Sequence, residues 1–588
     1  MKLVELPSRV VGAAPVIRGM ADAIGFVDLL NTLLAWDVQQ CRTSPGERIL
    51  AMVLDILTGK SPLYRVQDSL AETDVPLLLG RGRTAADFTD DALGRALDKL
   101  SRAGPAAVFT AVAAQAYARE AIELRTGHWD STSRSLQGAY RSAEEEEEEE
   151  EGKSEPQNAT PPNPAEESAD AKVVAAPPRA VPRRGHSKDH RPDLKQILLT
   201  VFVNGEGVLR FGSVASGNTS DKTLNHRMID DLVAAFSPQE LQDLVYVADS
   251  SLVTGPNLAA LRQVGLRFIS RCPSTFAMAQ AAKETAWAQD SWTFLGRIAA
   301  RRDAADYWAS EQQGAIDGVP YRLVVYRSSF LEARKEKTLD RRIAGARKTL
   351  AQAAKVFEHT IYDCREDATQ AVQQWQARRE TQWFAVETAI NAEEQRLSRG
   401  QRGRPRKTEE PLTKKGWRVT ATIGAVDTAQ RQREWERQAT FVLIAPMNTK
   451  EWDARGLLQE YKGQVHCERH FHFLKDPLFI DALFVKKPER VEALGYVLLM
   501  ACLLYSLMER RARRSTVTIP SPSRRVLTHP TGHEIVRHLH SVQVIPLPSG
   551  ARQVAVPQRF HATFLAILEA LSLPDTVYTE PPRPPQRE

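Results

Sequence analysis

The chain has 588 residues, of which 42% are hydrophobic and 26% are charged. This length and composition exclude a collagen, a wholly disordered chain and a disulfide-rich miniprotein, and they predict several domains. The net charge is +5, and the eight glutamates at 144–151 carry −8, so the remainder of the chain has +13. A basic remainder is compatible with a polyanionic partner.

The five cysteines are widely scattered and form no Cys-x-x-Cys pair. This pattern argues against a structural zinc site and against an extracellular disulfide framework. The first residues lack the unbroken apolar block of a signal peptide. A reducing, cytoplasmic location without a membrane partner is therefore expected.

Residues 1–118 are predicted to form a helical domain. Apolar side chains recur with helical spacing at 21–34, 44–57 and 92–100, between Gly and Pro turn signals. Ser44, Pro45 and Glu47 form a helix N-cap pattern. Recognition of DNA ends through a helix-turn-helix-like unit is one function for this domain; a packing or dimerisation module is the alternative.

Residues 119–272 are predicted to hold the first part of an α/β core. A strand at 128–133 precedes a segment, 141–181, that is rich in Glu, Pro, Ala and Ser and is expected to be disordered. Runs at 197–204 and 208–216 flank Asn-Gly-Glu-Gly and predict a hairpin. Helices at 221–236 and 256–264 then alternate with strands at 244–248 and 267–271, which predicts a mixed sheet.

The rest of the chain divides into three predicted regions. Residues 273–440 form a mostly helical insertion with a strand at 321–326, a long antiparallel helical hairpin at 330–358 and 365–397, and a basic loop at 400–407. Residues 441–515 hold the second part of the core, with one helix at about 450–475. The uncharged run at 493–508 is shorter than the roughly 20 residues that span a membrane, so a buried helix is expected. Residues 516–588 are a C-terminal tail region with one helix at 557–571.

Two aspartates are the first candidates for chemistry. Asp130 and Asp249 each lie at the carboxyl end of a predicted strand and precede small hydroxyl residues. Ligand sites of α/β sheets gather at such ends, and carboxylate oxygens are ligands for hard divalent ions. The alternative is that each aspartate only caps the following turn.

The third candidate region is the predicted helix near residue 468. Spacings of seven place Tyr461, Glu468 and Lys475 on one helix face, with Gln464 nearby. A solvated helix with an ordinary charge pattern is the alternative. Phe471, Phe473 and Leu474 favour a packed helix beside a cleft.

Taken together, these segments resemble the DDE transposases of bacterial insertion sequences, specifically the family-four branch. The signature helix of that branch has Tyr, two residues, Arg, three residues, Glu, six residues and Lys, which match Tyr461, Glu468 and Lys475, with Gln464 at the arginine position. Segments 128–133 and 247–250 resemble the two aspartate motifs, and 185–194 resembles a subgroup hallmark. The resemblance implies an RNase H-like mixed sheet flanked by helices, with a large insertion before the glutamate helix.

The resemblance also implies the chemistry. Asp130, Asp249 and Glu468 would hold two Mg²⁺ ions, which Mn²⁺ can replace, for in-line phosphoryl transfer. Water would release a 3′-OH at the element's end, and that hydroxyl would attack target DNA, with a hairpin intermediate in this branch. The partners implied are double-stranded DNA, as terminal inverted repeats and target, and a second subunit in a homodimeric synaptic complex.

Further residues are expected to contact DNA. Tyr461 and Lys475 would bind phosphate near the cut, and Arg469 or Arg271 are candidates to replace the arginine lost at Gln464. Two basic segments contribute candidate DNA contacts, with a solvated loop and a flexible linker as their alternatives: His186, Lys188, Arg191, Arg402 and Arg404. Three tryptophans of the insertion are candidates to stack an extruded base, with core packing as the alternative: Trp287, Trp292 and Trp308.

Two other functions compete with transposition. One is an RNase H-like nuclease that cuts branched or hybrid DNA without strand transfer, using the same site. The other is a decayed transposase that binds DNA and cannot cut, which Gln464 and the low-complexity insertion support.

Overall fold

A computed structural model of the chain describes residues 7–58, 63–136, 180–185, 191–299, 303–396, 413–449, 451–475, 487–523 and 526–582. The chain divides into two compact units, Met1–Ile269 with Glu460–Glu588, and Ser270–Gln459. The boundaries fall inside the strand Arg267–Arg271 and inside the helix Ala454–Lys462.

The first unit contains a mixed sheet. Its strands follow the order Leu209–Ser216, Lys195–Asn204, Thr126–Leu136, Val245–Ala248 and Arg267–Arg271. The first three are antiparallel, and Thr126–Leu136 runs parallel to Val245–Ala248. The accompanying helices are Asp221–Ala235, Pro238–Asp243 and Gly255–Val264. The predicted mixed α/β sheet flanked by helices is confirmed.

The predicted hairpin forms as its loop sequence requires. The Oδ1 atom of Asn204 accepts hydrogen bonds from the backbone N–H groups of Glu206 (3.1 Å) and Val208 (2.8 Å). Gly207 has φ +82°, a left-handed conformation that favours glycine. The loop at 204–208 therefore projects Glu206 from the end of the sheet.

The described part of residues 1–118 is helical. Its helices are Ala14–Ala23, Phe26–Leu33, Pro45–Thr58, Val66–Ala71, Val75–Leu79, Asp90–Arg102 and Pro105–Arg119. The predicted N-cap at Ser44 is confirmed, because the Glu47 N–H donates to the Ser44 hydroxyl (3.1 Å) and the Glu47 carboxylate accepts from the Ser44 N–H (2.6 Å).

These helices do not form a core of their own. They share one core with the helix Pro488–Arg514 and with C-terminal residues. The Asp98 carboxylate accepts two hydrogen bonds from Arg490 of that helix, at 2.7 and 2.8 Å. The helix is long and apolar enough to cross a membrane by composition, but 94% of its apolar window is buried inside the protein. The predicted buried helix is confirmed.

The C-terminal region is more than a tail. Helices Gly532–Leu539 and Gln558–Ala570 and strands Ile519–Pro520, Val526–Leu527, Gln543–Pro546 and Arg552–Ala555 are present. The strand Arg9–Val10 pairs antiparallel with Gln543–Pro546. The buried Tyr578 hydroxyl donates to the Gly12 carbonyl oxygen at 2.8 Å. The two ends of the described chain therefore stabilise each other.

The second unit is built around antiparallel strands. One sheet has the order Arg267–Arg271, Thr440–Pro446, Val319–Ser328, Asp306–Ile316 and Thr293–Arg297, and another has Ile361–Tyr362, Thr413–Val426 and Phe384–Arg396. The helices are Ala277–Gln289, Ser329–His359, Arg365–Gln376, Thr428–Ala439 and most of Ala454–Lys462.

The prediction that residues 365–397 form the second helix of a hairpin is wrong. Helix Arg365–Gln376 ends early, and Phe384–Arg396 is a strand that pairs along its length with Thr413–Val426. From Phe384 to Ile390 exposed side chains alternate with more buried ones, a period of two that matches a half-buried strand. The abundance of Ala, Glu and Gln masked this pattern, because those residues also favour helices.

The prediction of a single helix at 450–475 is also wrong. Two helices, Ala454–Lys462 and Val465–Lys475, are separated by a turn at Gly463 and Gln464. A side chain on Gly463 would approach the His128 ring at 2.6 Å. Because the chain breaks here against the sheet, Tyr461 does not share a helix face with Glu468 and Lys475.

Candidate functional site

The first candidate carboxylate lies within a strand and not at its end. Asp130 is half-buried in Thr126–Leu136. The parallel pairing with Val245–Ala248 extends only to His128 opposite Val247, so Asp130 lies where the pairing stops. The neighbouring Ser131 hydroxyl donates to the Asp221 carboxylate at 2.5 Å, which ties this strand to the helix Asp221–Ala235.

Asp249 directly follows the strand that runs parallel to the Asp130 strand. It lies two residues beyond Val247, and Asp130 lies two residues beyond His128, the last pair in that register. Burial raises the pKa of the Tyr246 hydroxyl well above its usual value, and the charges of Asp249 and Asp130 add to that rise. Both carboxylates therefore lie within electrostatic range of one buried tyrosine.

A chain of hydrogen bonds orients Asp249. The Tyr246 hydroxyl donates to Asn225 Oδ1 (2.7 Å), and Asn225 Nδ2 donates to Ser251 Oγ (2.8 Å). Ser251 in turn donates to Asp249 Oδ1 from its hydroxyl (2.5 Å) and from its backbone N–H (3.0 Å). Tyr246 and Asn225 are fully buried, so this relay is anchored in the core. A carboxylate that accepts two hydrogen bonds on one oxygen has a fixed orientation.

The helix that carries Glu468 packs on the Asp130 strand. The buried Cys467 thiol donates to the His128 carbonyl oxygen at 3.2 Å. Burial raises the pKa of Cys467 well above its usual value, and the negative charges of Asp130 and Glu468 add to that rise. Both carboxylates therefore lie within electrostatic range of one thiol. The Glu468 side chain itself is exposed.

A second interaction connects the Asp130 strand to the preceding helix. His128 Nε2 lies 2.9 Å from the Glu460 carboxylate, and His128 is 1% exposed. Burial opposes ionisation of Glu460, but the hydrogen bond and charge of His128 and the Thr126 hydroxyl outweigh it, so the pKa of Glu460 is lowered. This contact lies two residues from Asp130 and fixes the chain just before the turn at 463–464.

The three candidate side chains are all carboxylates. Among the described residues, no three His, Cys, Asp or Glu side chains stand together as a ready metal site. The three candidate side chains nevertheless offer only hard carboxylate oxygens, which are the ligands that Mg²⁺ and Mn²⁺ prefer. Two of the three lie just beyond the last pair of neighbouring parallel strands, and the third lies on the helix packed against the Asp130 strand. This donor set fits a divalent cation.

The predicted phosphate contacts have different outcomes. Tyr461 lies near the end of the helix before the break, and Lys475 is the last residue of Val465–Lys475. The Gln464 side-chain nitrogen is buried and has no hydrogen-bond partner in the part of the chain that the structure describes. Arg271, a candidate replacement for the missing arginine, lies in the second unit, where it stacks over Phe441 at 5.9 Å.

Of the basic segments, only Arg191 is described. It is exposed and forms hydrogen bonds to the Asp193 carboxylate at 2.9 and 2.7 Å. Four predicted DNA contacts lie outside the described residues: His186, Lys188, Arg402 and Arg404. Their roles stay predictions.

The three candidate tryptophans surround one of the protein's own cations. The guanidinium carbon of Arg327 lies 5.1 Å from the ring centre of Trp287, 5.4 Å from that of Trp292 and 4.9 Å from that of Trp308. Such cation–π contacts stabilise the fold. Packing is therefore the role that the structure supports for these rings.

Sequence patterns did not reveal Asn225, Tyr246, Glu460 or His128 as parts of the site. Asn225 lies inside a helix with an ordinary amphipathic pattern, and Glu460 precedes the expected signature. Each of these residues acts through a partner that is distant in sequence. The only sequence signal was that some of them lie close to Asp130 or to the signature helix.

Two family models match parts of the chain. A family model described as a transposase DDE domain matches residues 168–504, more than half of the chain. A second model, described as a domain of unknown function (DUF4277), matches residues 7–114. No curated protein matches the chain. The first match contains Asp249 and Glu468 and begins after Asp130.

Proposed function

The chain belongs to the DDE transposase family and thus has DNA as its substrate, and we propose that it cuts the ends of an insertion sequence and joins them to target DNA. The family is one of DNA-cutting and joining enzymes that use divalent metal ions. The observation that carries the proposal is that Asp130 and Asp249 each lie two residues beyond the last pair of two neighbouring parallel strands, with the helix of Glu468 packed against the first strand.

We assign the cation ligands to Asp130, Asp249 and Glu468, with Mg²⁺ as the ion and Mn²⁺ as a substitute. When bound, the cations activate the attacking oxygen and stabilise the leaving 3′ oxygen. The protein orients the carboxylates. Ser251 donates a hydrogen bond that fixes one oxygen of Asp249. The hydrogen bond from Cys467 to the His128 carbonyl oxygen positions the Glu468 helix against the sheet. Exposure of Glu468 leaves its carboxylate accessible to DNA.

The strand order of the first unit supports an RNase H-like core. Three antiparallel strands are followed by a strand parallel to the first, which is the arrangement implied by the resemblance. The spacing of Tyr461, Glu468 and Lys475 supports the family-four branch, with terminal inverted repeats and target DNA as substrates. Because two ends are joined in one reaction, a homodimer is the assembly we propose for the synaptic complex.

The test is cleavage of end-bearing duplex DNA by single variants. Asp130→Asn, Asp249→Asn and Glu468→Gln should each lower the Mg²⁺-dependent rate by at least about a thousandfold, because each removes a cation ligand, and should leave DNA binding unchanged. Asp230→Asn, which alters an exposed carboxylate of the same unit, is the matched control. Normal cleavage by any of the three variants would remove that residue from the site.

The same reactions separate transposition from simple nuclease activity. A transposase joins the labelled 3′ end to a target plasmid, whereas a nuclease yields only cut ends. A decayed transposase is favoured by one observation, the buried Gln464 amide at the arginine position of the signature. If wild-type protein binds DNA without cutting and Gln464→Arg restores cutting, decay at this residue is established.

A further inference from the structure

A cavity of about 370 Å³ lies in the first unit beside the Glu468 helix. Its walls come from the helix Val465–Lys475, the last turn of Pro488–Arg514, the loop at 204–208 and the segment before the helix Gly532–Leu539. The lining side chains are Glu206, His466, Arg469, Arg510, Arg513, Arg514 and His529. The volume is at the small end of the range for ligand pockets.

The arginines of this cavity outnumber the acids that neutralise them. Glu206 accepts from both Arg510 and Arg514, the latter at 3.3 Å. Arg513 pairs with Glu509 at 2.6 Å. Arg510 also lies 3.9 Å from Glu120, an acid that Arg511 binds with two hydrogen bonds. With Arg469 included, five guanidinium groups in this cluster share three carboxylates, which leaves two positive charges in excess.

The excess charge lies at the surface of the cavity. Arg469 is exposed and has no ion-pair or hydrogen-bond partner in the described chain. The Arg514 side chain is 61% exposed, whereas that of Arg510 is only 6% exposed. Arginines in the last turn of a helix also interact favourably with its carboxyl end, which accounts for part of this cluster. Arg469 comes from a different helix, so that effect does not explain its presence.

The chemistry of the cavity matches a phosphodiester. Guanidinium groups bind phosphate oxygens through paired N–H donors, and Glu206 already places a carboxylate between two of them. The cavity is also near the candidate site, because Arg469, which lines it, directly follows Glu468 in the helix Val465–Lys475. A DNA strand bound at Glu468 is therefore one helix residue away from an arginine of the cavity.

We propose that this cavity binds a backbone phosphate of the DNA that the candidate carboxylates act on. The proposal rests on the proposed function for the identity of the polymer. Arg510, Arg513, Arg514 and His529 lie beyond the region that the family model matches. Glu206 holds the buried Arg510 in place. Arg469 and the exposed Arg514, which shares Glu206 with Arg510, supply the excess charge that DNA contacts.

The test is the salt dependence of DNA binding. Binding of a labelled 30-base-pair duplex is measured by fluorescence anisotropy from about 50 to 200 mM salt in EDTA, where no cutting occurs. The double variant R469Q and R514Q should bind roughly tenfold more weakly, with a slope of log K against log salt shallower by about 1 to 2. Glu206→Gln should bind a few-fold more tightly, because it removes a negative charge.

Arg262→Gln is the matched control, since Arg262 is an exposed arginine of the first unit that does not line the cavity. Its affinity and salt slope should equal those of wild type. A double variant with wild-type affinity and slope would overturn the proposal. A wild-type site that binds inorganic phosphate tightly without competing with the duplex would also overturn it, in favour of a small phosphorylated ligand.

Failure of this inference differs from failure of the proposed function. If the arginine variants bind DNA normally while the three carboxylate variants lose cleavage, the function stands and the cavity is structural. If the arginine variants lose binding while the carboxylate variants still cut, the cavity stands and the assignment of the carboxylates falls.

Discussion

The roles of some side chains of the site could be predicted from the sequence, and the roles of others could not. Asp130, Asp249 and Glu468 stand out because each lies in a local pattern typical of a ligand or a signature. The side chains that orient them do not, because Asn225 meets Ser251 only through the docking of a helix on the strand Val245–Ala248. Such hydrogen bonds depend on how a helix packs on a strand, and a local sequence pattern does not contain that information.

The relay to Asp249 gives a prediction at this scale. Asn225→Leu keeps the volume but removes the donor to Ser251 and the acceptor for Tyr246. We expect the cleavage rate, or the affinity for Mg²⁺, to fall about ten- to a hundredfold, as is typical when the partner of a metal ligand is lost. The measurement is the Mg²⁺ dependence of cleavage.

Asn257→Leu provides a comparison, because Asn257 is buried on the neighbouring helix Gly255–Val264 and does not contact Asp249 in the described hydrogen bonds. If both variants show the same Mg²⁺ dependence, the relay has no specific role in orienting Asp249.

Among the secondary-structure elements, the strands of the sheet in the first unit and the helices beside it were predicted from their sequence patterns. The wrong predictions of secondary structure arose where composition and periodicity disagree. Phe384–Arg396 is rich in helix-forming residues, yet it becomes a strand because its alternation buries one face against the long helix Ser329–His359 and its neighbours. The break at Gly463 was missed for another reason, since only the close approach of His128 requires it.

The contact between His128 and Glu460 predicts a pH dependence of stability. The folded pKa of Glu460 is lowered below its ordinary 4.5, so the ionised form favours the folded state above that pH, and the contribution is lost as pH falls through the folded pKa. Glu460→Gln should therefore lower the free energy of unfolding by about 2 kcal/mol at pH 6 to 7, as expected for a hydrogen bond to a charged group.

This difference is measured by urea unfolding of both proteins from pH 3 to 7. It should shrink as pH decreases below about 4.5, because a protonated glutamic acid and a glutamine bind similarly. A difference that is constant over the whole range would show that the carboxylate charge contributes nothing.

At the scale of the whole molecule, the association of the two chain ends was not predictable. The strand Arg9–Val10 and its partner Gln543–Pro546 are short and distant in sequence, so neither has a strong pattern. The same holds for the shared core, in which Tyr578 and Ile567 are fully buried beside N-terminal helices. Their burial is visible only once the long helix Pro488–Arg514 joins the segments.

Removal of the C-terminal region should consequently destabilise the first unit. A chain truncated after residue 514 loses the partner of Arg9–Val10 and uncovers core residues, so we expect loss of cooperative thermal unfolding and aggregation. Tyr578→Phe is a milder variant. Loss of its hydrogen bond to Gly12 should lower the free energy of unfolding by about 1 kcal/mol. A truncated chain that unfolds at the wild-type temperature would show that this region is dispensable.

We propose that three carboxylates distant in sequence hold the same divalent cations. Replacing Mg²⁺ with Fe²⁺ and generating hydroxyl radicals at the bound ion, which cut the nearby backbone, tests this shared binding. Mass spectrometry should then find cuts near Asp130, Asp249 and Glu468, all suppressed by excess Mg²⁺. Cuts confined to other segments, or absent near any one of these residues, would show that the three carboxylates do not share a cation site.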